Sequence, residues 1–77
     1  MAYATSKHLG YARDRDGKVY SLRFYGEADR RAVVTGPNPR TEGALMPEVY
    51  AEPALDTVDA RTKLVAWITA TGWTLLP

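Results

Sequence analysis

The chain has 77 residues, ten lysine or arginine side chains against nine acidic ones for a formal charge of +1, and no cysteine. That length allows a single domain over 1–77 and excludes disulfide or thiolate–zinc support for it. A hydrophobic fraction of 45% and a charged fraction of 25% exclude a disordered tract. No basic-then-apolar leader follows Met1. The longest apolar-leaning run, Leu64 to Ile68, is far short of a membrane span, so no membrane is expected and a cytoplasmic location is. The charge is uneven along the chain. Residues 1–40 carry eight basic against four acidic side chains, a balance of +4, and residues 41–77 carry two against five, a balance of −3. Such a dipolar chain can orient toward a charged partner.

Met1 to Lys7 is short and polar around Tyr3. Leu9 to Tyr25 reads as a β-hairpin, with two β-prone runs around the turn formers Asp14, Arg15, Asp16 and Gly17. A four-residue loop pairing Arg13 with Lys18 sets Tyr11 opposite Tyr20, Leu9 opposite Leu22 and Lys7 opposite Phe24. Leu9, Tyr11, Tyr20, Leu22 and Phe24 then share a core face. A one-residue slip sets Tyr20 and Leu22 beside Ala12 and Gly10 and turns Leu9 and Tyr11 outward, so the four-residue loop is preferred.

Gly26 to Arg30 reads as a turn. For residues 27–33 a brief helix competes with a third strand, and β-branching favours the strand at Val33, Val34 and Thr35. Gly36 to Gly43 is a loop with two prolines. Residues 44–52 fit either an edge strand or a short helical turn starting at Pro47. From Asp56 to Thr71 the spacing predicts an amphipathic helix. Asp56 is its N-cap, Asp59 lies in the first turn, and Gly72 is the C-terminal stop. Ala60, Leu64, Trp67, Ile68 and Thr71 form its apolar stripe, with Val58 and Val65 on a flank. Trp73 to Leu76 reads as a last strand.

The expected fold is α+β: a small antiparallel sheet of three to four strands, led by the hairpin, with one C-terminal helix on one face and a short final strand. Its core would comprise Leu9, Tyr11, Tyr20, Leu22, Phe24, Val34, Leu64, Trp67, Ile68, Trp73 and Leu75.

No residue set nominates an enzyme, and no cofactor or metal is expected. His8 is the only histidine, too few for a metal site without thiols or for a hydrolytic triad. Asp14 to Gly17 resembles part of a calcium loop, but the twelfth position is Tyr25, which cannot serve as the bidentate acid. Gly36 and Gly43 lack the following Lys and Ser/Thr of a phosphate loop. Glu42, Glu48, Glu52, Asp56 and Asp59 are close in sequence, yet no nucleophile–base pair accompanies them.

The remaining signal is for binding. Arg13, Arg15 and Lys18 gather at the hairpin tip, Arg23 and Tyr25 share its second face, and Arg30, Arg31, Arg40 and Tyr50 follow. Tyrosine and arginine are enriched at binding hot spots. The expectation is therefore a non-enzymatic interaction protein that docks on a larger protein and modulates or inhibits it, of a kind common among phage and mobile-element proteins. The alternative is a nucleic-acid-binding accessory protein using the basic hairpin, since ribbons fit the major groove and aromatics stack on bases. Against it stand Asp14 and Asp16 between the tip cations and a pI of only about 8.1. Exposed sheet edges also allow a homodimer.

Overall fold

A computed structural model of the chain describes residues 6–26, 29–37 and 47–77. In chain order these form β1 (Ser6–Arg13), β2 (Val19–Tyr25), β3 (Arg31–Thr35), β4 (Glu48–Pro53), α1 (Thr57–Thr71) and β5 (Thr74–Leu75). The strands make one antiparallel sheet in the order β4-β3-β2-β1-β5, and α1 packs against it. The fold is α+β, with five strands when the short last one is counted. No helix among the described residues is long and apolar enough to cross a membrane.

Local chemistry sets the helix ends. The Asp56 carboxylate accepts the Asp59 amide at 2.8 Å, and the Asp59 carboxylate reaches back to the Leu55 amide at 2.9 Å. Together they satisfy backbone donors that the first helical turn leaves unpaired. Gly72 ends α1 at φ 80°, a left-handed conformation that costs glycine little. Trp73 N then donates to Ile68 O at 3.0 Å. The Arg15 side chain, from the hairpin turn, lies against Gly72: a Cβ there would sit 2.6 Å from Arg15 Nη2. α1 has no basic residue in its own last turn, so Arg15 brings positive charge to the negative end of the helix dipole.

Ala60, Leu64 and Ile68 are the buried stripe of α1. They meet Ala12, Tyr20, Leu22, Phe24, Ala32, Val34 and Ala54. Ala12 and Ala32 are completely buried and small, which lets the helix lie close to the sheet. A row of rings flanks this core. Tyr50 stacks on Trp67 at 4.6 Å, Trp67 meets Trp73 edge-on at 4.8 Å, and Trp73 lies 4.5 Å from Tyr20. Such ring pairs contribute about 0.5–1.5 kcal/mol each beyond the area they bury.

The hairpin register differs from the sequence expectation. Arg13 pairs with Val19, so the loop holds five residues, and Ala12 faces Tyr20 while Gly10 faces Leu22. Asp14 causes the extra residue. Its carboxylate accepts the Asp16 and Lys18 amides, each at 2.9 Å, and the Tyr20 hydroxyl at 3.1 Å. The slip turns Tyr11 outward but does not strand Leu9, because a β-bulge between His8 and Gly10 absorbs it. Gly10 takes φ +144°, Leu9 packs against the core, and the pairing returns to Lys7 with Phe24. The Leu9 carbonyl is met by Arg61 Nη1 of α1 at 2.9 Å. Tyr11 is consequently no core residue: it faces away from the helix and is 43% exposed.

The two undecided segments resolve as strands where they are described. Arg31–Thr35 is β3, preceded by Arg30 at φ 47°; Glu27 and Ala28 lie outside the described residues. Glu48–Pro53 is β4, on the sheet edge where its Pro53 is tolerated. Residues 44–46 lie outside the described residues.

Candidate functional site: the sheet face opposite the helix

Side chains alternate across a strand, so the register determines what the second face displays. Lys7, Phe24 and Ala32 point to the helix side. The adjacent row of His8, Arg23, Val33 and Ala51 therefore points away from it. The next rows on that face hold Ser6, Tyr25, Arg31 and Pro53, then Tyr11, Ser21 and Thr35, then Arg13 and Val19. Ser21, Val33 and Thr35 are buried at its centre, and Thr35 Oγ1 has no hydrogen-bond partner among the described residues. His8, Tyr11 and Arg13 are exposed, while Arg23, Tyr25 and Arg31 are half-buried.

Several of these side chains are held by neighbours. The His8 and Tyr11 rings lie 4.5 Å apart. Arg23 Nη1 donates to Ser6 Oγ at 3.2 Å. Arg31 sits 6.0 Å from the Tyr25 ring centroid and bonds Glu48 at 2.7 Å, with Asp29 at 3.7 Å. Among the described residues the ion pairs are these two and Lys63 with Asp59 at 3.2 Å; none involves Arg13 or Arg23.

The face gathers four of the nine residues expected to bind a partner: Arg13, Arg23, Tyr25 and Arg31. Lys18 is exposed in the hairpin turn, and Arg30 is exposed in the turn before β3. Arg15 is directed to the helix terminus instead. Tyr50 lies on the helix side, stacked on Trp67 with its hydroxyl bonded to Glu52. That hydrogen bond, then burial and the Glu52 charge, push the Tyr50 hydroxyl above its ordinary range. Arg40 lies outside the described residues. Alternation in the sequence already places His8 on the face of Arg23 and Tyr25, but sequence reasoning missed Tyr11 as a member of it. The signal that finds Tyr11 is Gly10, the one residue of β1 suited to a bulge.

The acidic residues have structural partners. Glu48 binds Arg31, Glu52 binds the Tyr50 hydroxyl, and Asp56 caps α1. Asp59 is held below the usual carboxylate range, first by the Leu55 amide and then by Lys63, against a smaller opposing effect of burial. For Asp14, burial pulls the value up, but the Lys18 amide, the Tyr20 hydroxyl, the Asp16 amide and the Lys18 charge together bring it below normal. Tyr20 is raised, first by burial and then by its bond to Asp14. Among the described residues no three acidic or histidine side chains converge as metal ligands.

No protein-family model, curated protein or solved structure matches the chain.

Proposed function

We propose that this protein is a non-enzymatic interaction module that docks the sheet face opposite α1 on a larger protein and thereby modulates or blocks it. The observation that carries this reading is the gathering of His8, Tyr11, Arg13, Arg23, Tyr25 and Arg31, exposed or half-buried, on the face opposite the helix around the buried Ser21, Val33 and Thr35. Arginine and tyrosine supply large contact area and directional bonds, and both are enriched at hot spots. Their mounting on a hydrogen-bonded sheet lowers the ordering cost of association.

The test is affinity capture from host lysate with and without nuclease, using the native chain and a Tyr11→Ala/Arg23→Ala double variant. One stoichiometric protein, insensitive to nuclease and lost with the double variant, is the expected result. Undiminished capture by the double variant would remove this face from the interface.

A second reading, binding of single-stranded nucleic acid, draws on the same mixture of rings and arginines. It is the weaker one. Asp14 and Asp16 lie in the turn beside Arg13, and Asp29 and Glu48 lie beside Arg31, where they would repel a phosphate backbone. Capture that disappears with nuclease would favour it.

A further inference from the structure

We infer that the docking partner presents an acidic protein surface, its carboxylates placed to meet Arg23 and Arg13 on either side of Tyr11. The inference rests on the docking reading above and adds the chemistry of the partner. Three arginines lie on the face, but they are not equivalent. Arg31 is already neutralised by Glu48 and flanked by Asp29. Arg13 and Arg23 make no ion pair among the described residues. Arg23 gives a hydrogen bond to Ser6 Oγ through Nη1, and a guanidinium carries five N–H donors in all. Its cross-strand neighbours, His8 and Val33, supply no carboxylate. Among the described residues no carboxylate forms an ion pair with it.

The register gives the spacing. Arg13 pairs with Val19, and Arg23 lies four residues further along the adjacent strand. At about 3.3 Å per residue and 4.8 Å between strands, the two Cα atoms are roughly 14 Å apart. Tyr11 lies between them along β1, and the His8 ring against it is level with Arg23 on the neighbouring strand, both rings exposed. This arrangement suits discrete carboxylates separated by an apolar or aromatic contact. It does not suit a continuous phosphate backbone, which would run into Asp14 and Asp16 beyond Arg13 and into Asp29 and Glu48 beside Arg31. Paired charge and packed rings favour a protein partner with complementary potential.

The test uses the full chain, isotope-labelled for amide NMR, titrated with two probes at low salt: polyglutamate and oligothymidylate, each of about 20 units. Polyglutamate is expected to shift the amides of His8 to Arg13 and of Arg23, with binding lost as ionic strength rises from about 0.02 to 0.3 M. Arg23→Glu should weaken it by at least about tenfold, and Arg23→Gln by less. Shifts confined to Arg15, Lys18 and Arg30, or no shifts at all, overturn the inference. So does oligothymidylate binding more tightly than polyglutamate through the same amides. With the captured partner, Arg23→Glu and Tyr11→Ala separate the two readings. Loss with Tyr11→Ala alone leaves docking through this face intact and removes the acidic partner; retention by both variants removes this face from the interface, and the docking reading of the face with it. Unchanged helix and ring spectra show that each variant is folded.

Discussion

Replacing Gly10 by alanine isolates the backbone cost of the β1 bulge. The residue sits at φ +144°, a region that L side chains rarely adopt. Space is not the obstacle: an added Cβ would meet nothing closer than Arg61 Nη1 at 3.8 Å, an ordinary contact. The penalty is therefore conformational, of order 1–3 kcal/mol. For a domain of this size a loss of about 2 kcal/mol lowers the melting temperature by roughly 8–16 °C. Urea unfolding followed by the fluorescence of Trp67 and Trp73 measures the loss, since both rings pack at the helix–sheet junction. The chain can escape the penalty only by giving up the bulge. Leu9 then turns off the core and its carbonyl leaves Arg61, which amide and guanidinium NMR signals report. Gly17→Ala is the comparison, at φ +86° with nothing within 4 Å. It should cost about 1–2 kcal/mol without altering the pairing. A Gly10→Ala protein with stability within about 0.3 kcal/mol of the native chain and Leu9 still inward would refute the reasoning.

Gly72→Ala should cost about 1–2 kcal/mol for its left-handed backbone, with an added loss from displacing Arg15, whose Nη2 would lie 2.6 Å from the new Cβ. In an Arg15→Ala background that second part disappears, so chemical denaturation of the two single variants and the double variant should be non-additive. Acid should destabilise the fold through Asp14 and Asp59. Both have folded-state values below the unfolded ones, so their stabilisation is present above the ordinary aspartate range and is lost as pH falls through the folded value. Thermal melts should therefore decline below about pH 4, and Asp14→Asn with Asp59→Asn should flatten that decline.

The parts of the fold legible in the sequence are those governed by local rules. Asp56 and Gly72 marked the ends of α1, and the spacing of Ala60, Leu64 and Ile68 marked its buried stripe, because capping and helical periodicity involve residues a few positions apart. The hairpin register was not legible in the same way. It depends on the Asp14 carboxylate closing a five-residue turn and on Gly10 absorbing the resulting shift, and the apolar pattern alone favoured the simpler loop. β4 was ambiguous because Pro47 and Pro53 suit both a helical start and an edge strand; only its place beside β3 decides. The candidate site was half legible. Arg23 and Tyr25 share a face by alternation within β2. Whether Arg13 joins them depends on the register, and Arg15 leaves them for a helix terminus far away in sequence.

The neighbours of β1 bear on how this chain acquires its structure. One side of β1 pairs with the strand that follows it, and the other pairs with β5, through Ala12 with Leu75 and Arg13 with Thr74. Leu76 N extends that contact to Tyr11 O at 2.9 Å. The first strand thus waits for the last, almost the whole length of the chain later. During synthesis the hairpin can form early, but its outer edge stays unpaired until Thr74 and Leu75 have emerged. Closure is an event of high contact order, in which most of the loop entropy is lost before the reward arrives. Sheet completion, docking of α1 and burial of Trp73 against Tyr20 are then expected as one cooperative, comparatively slow step.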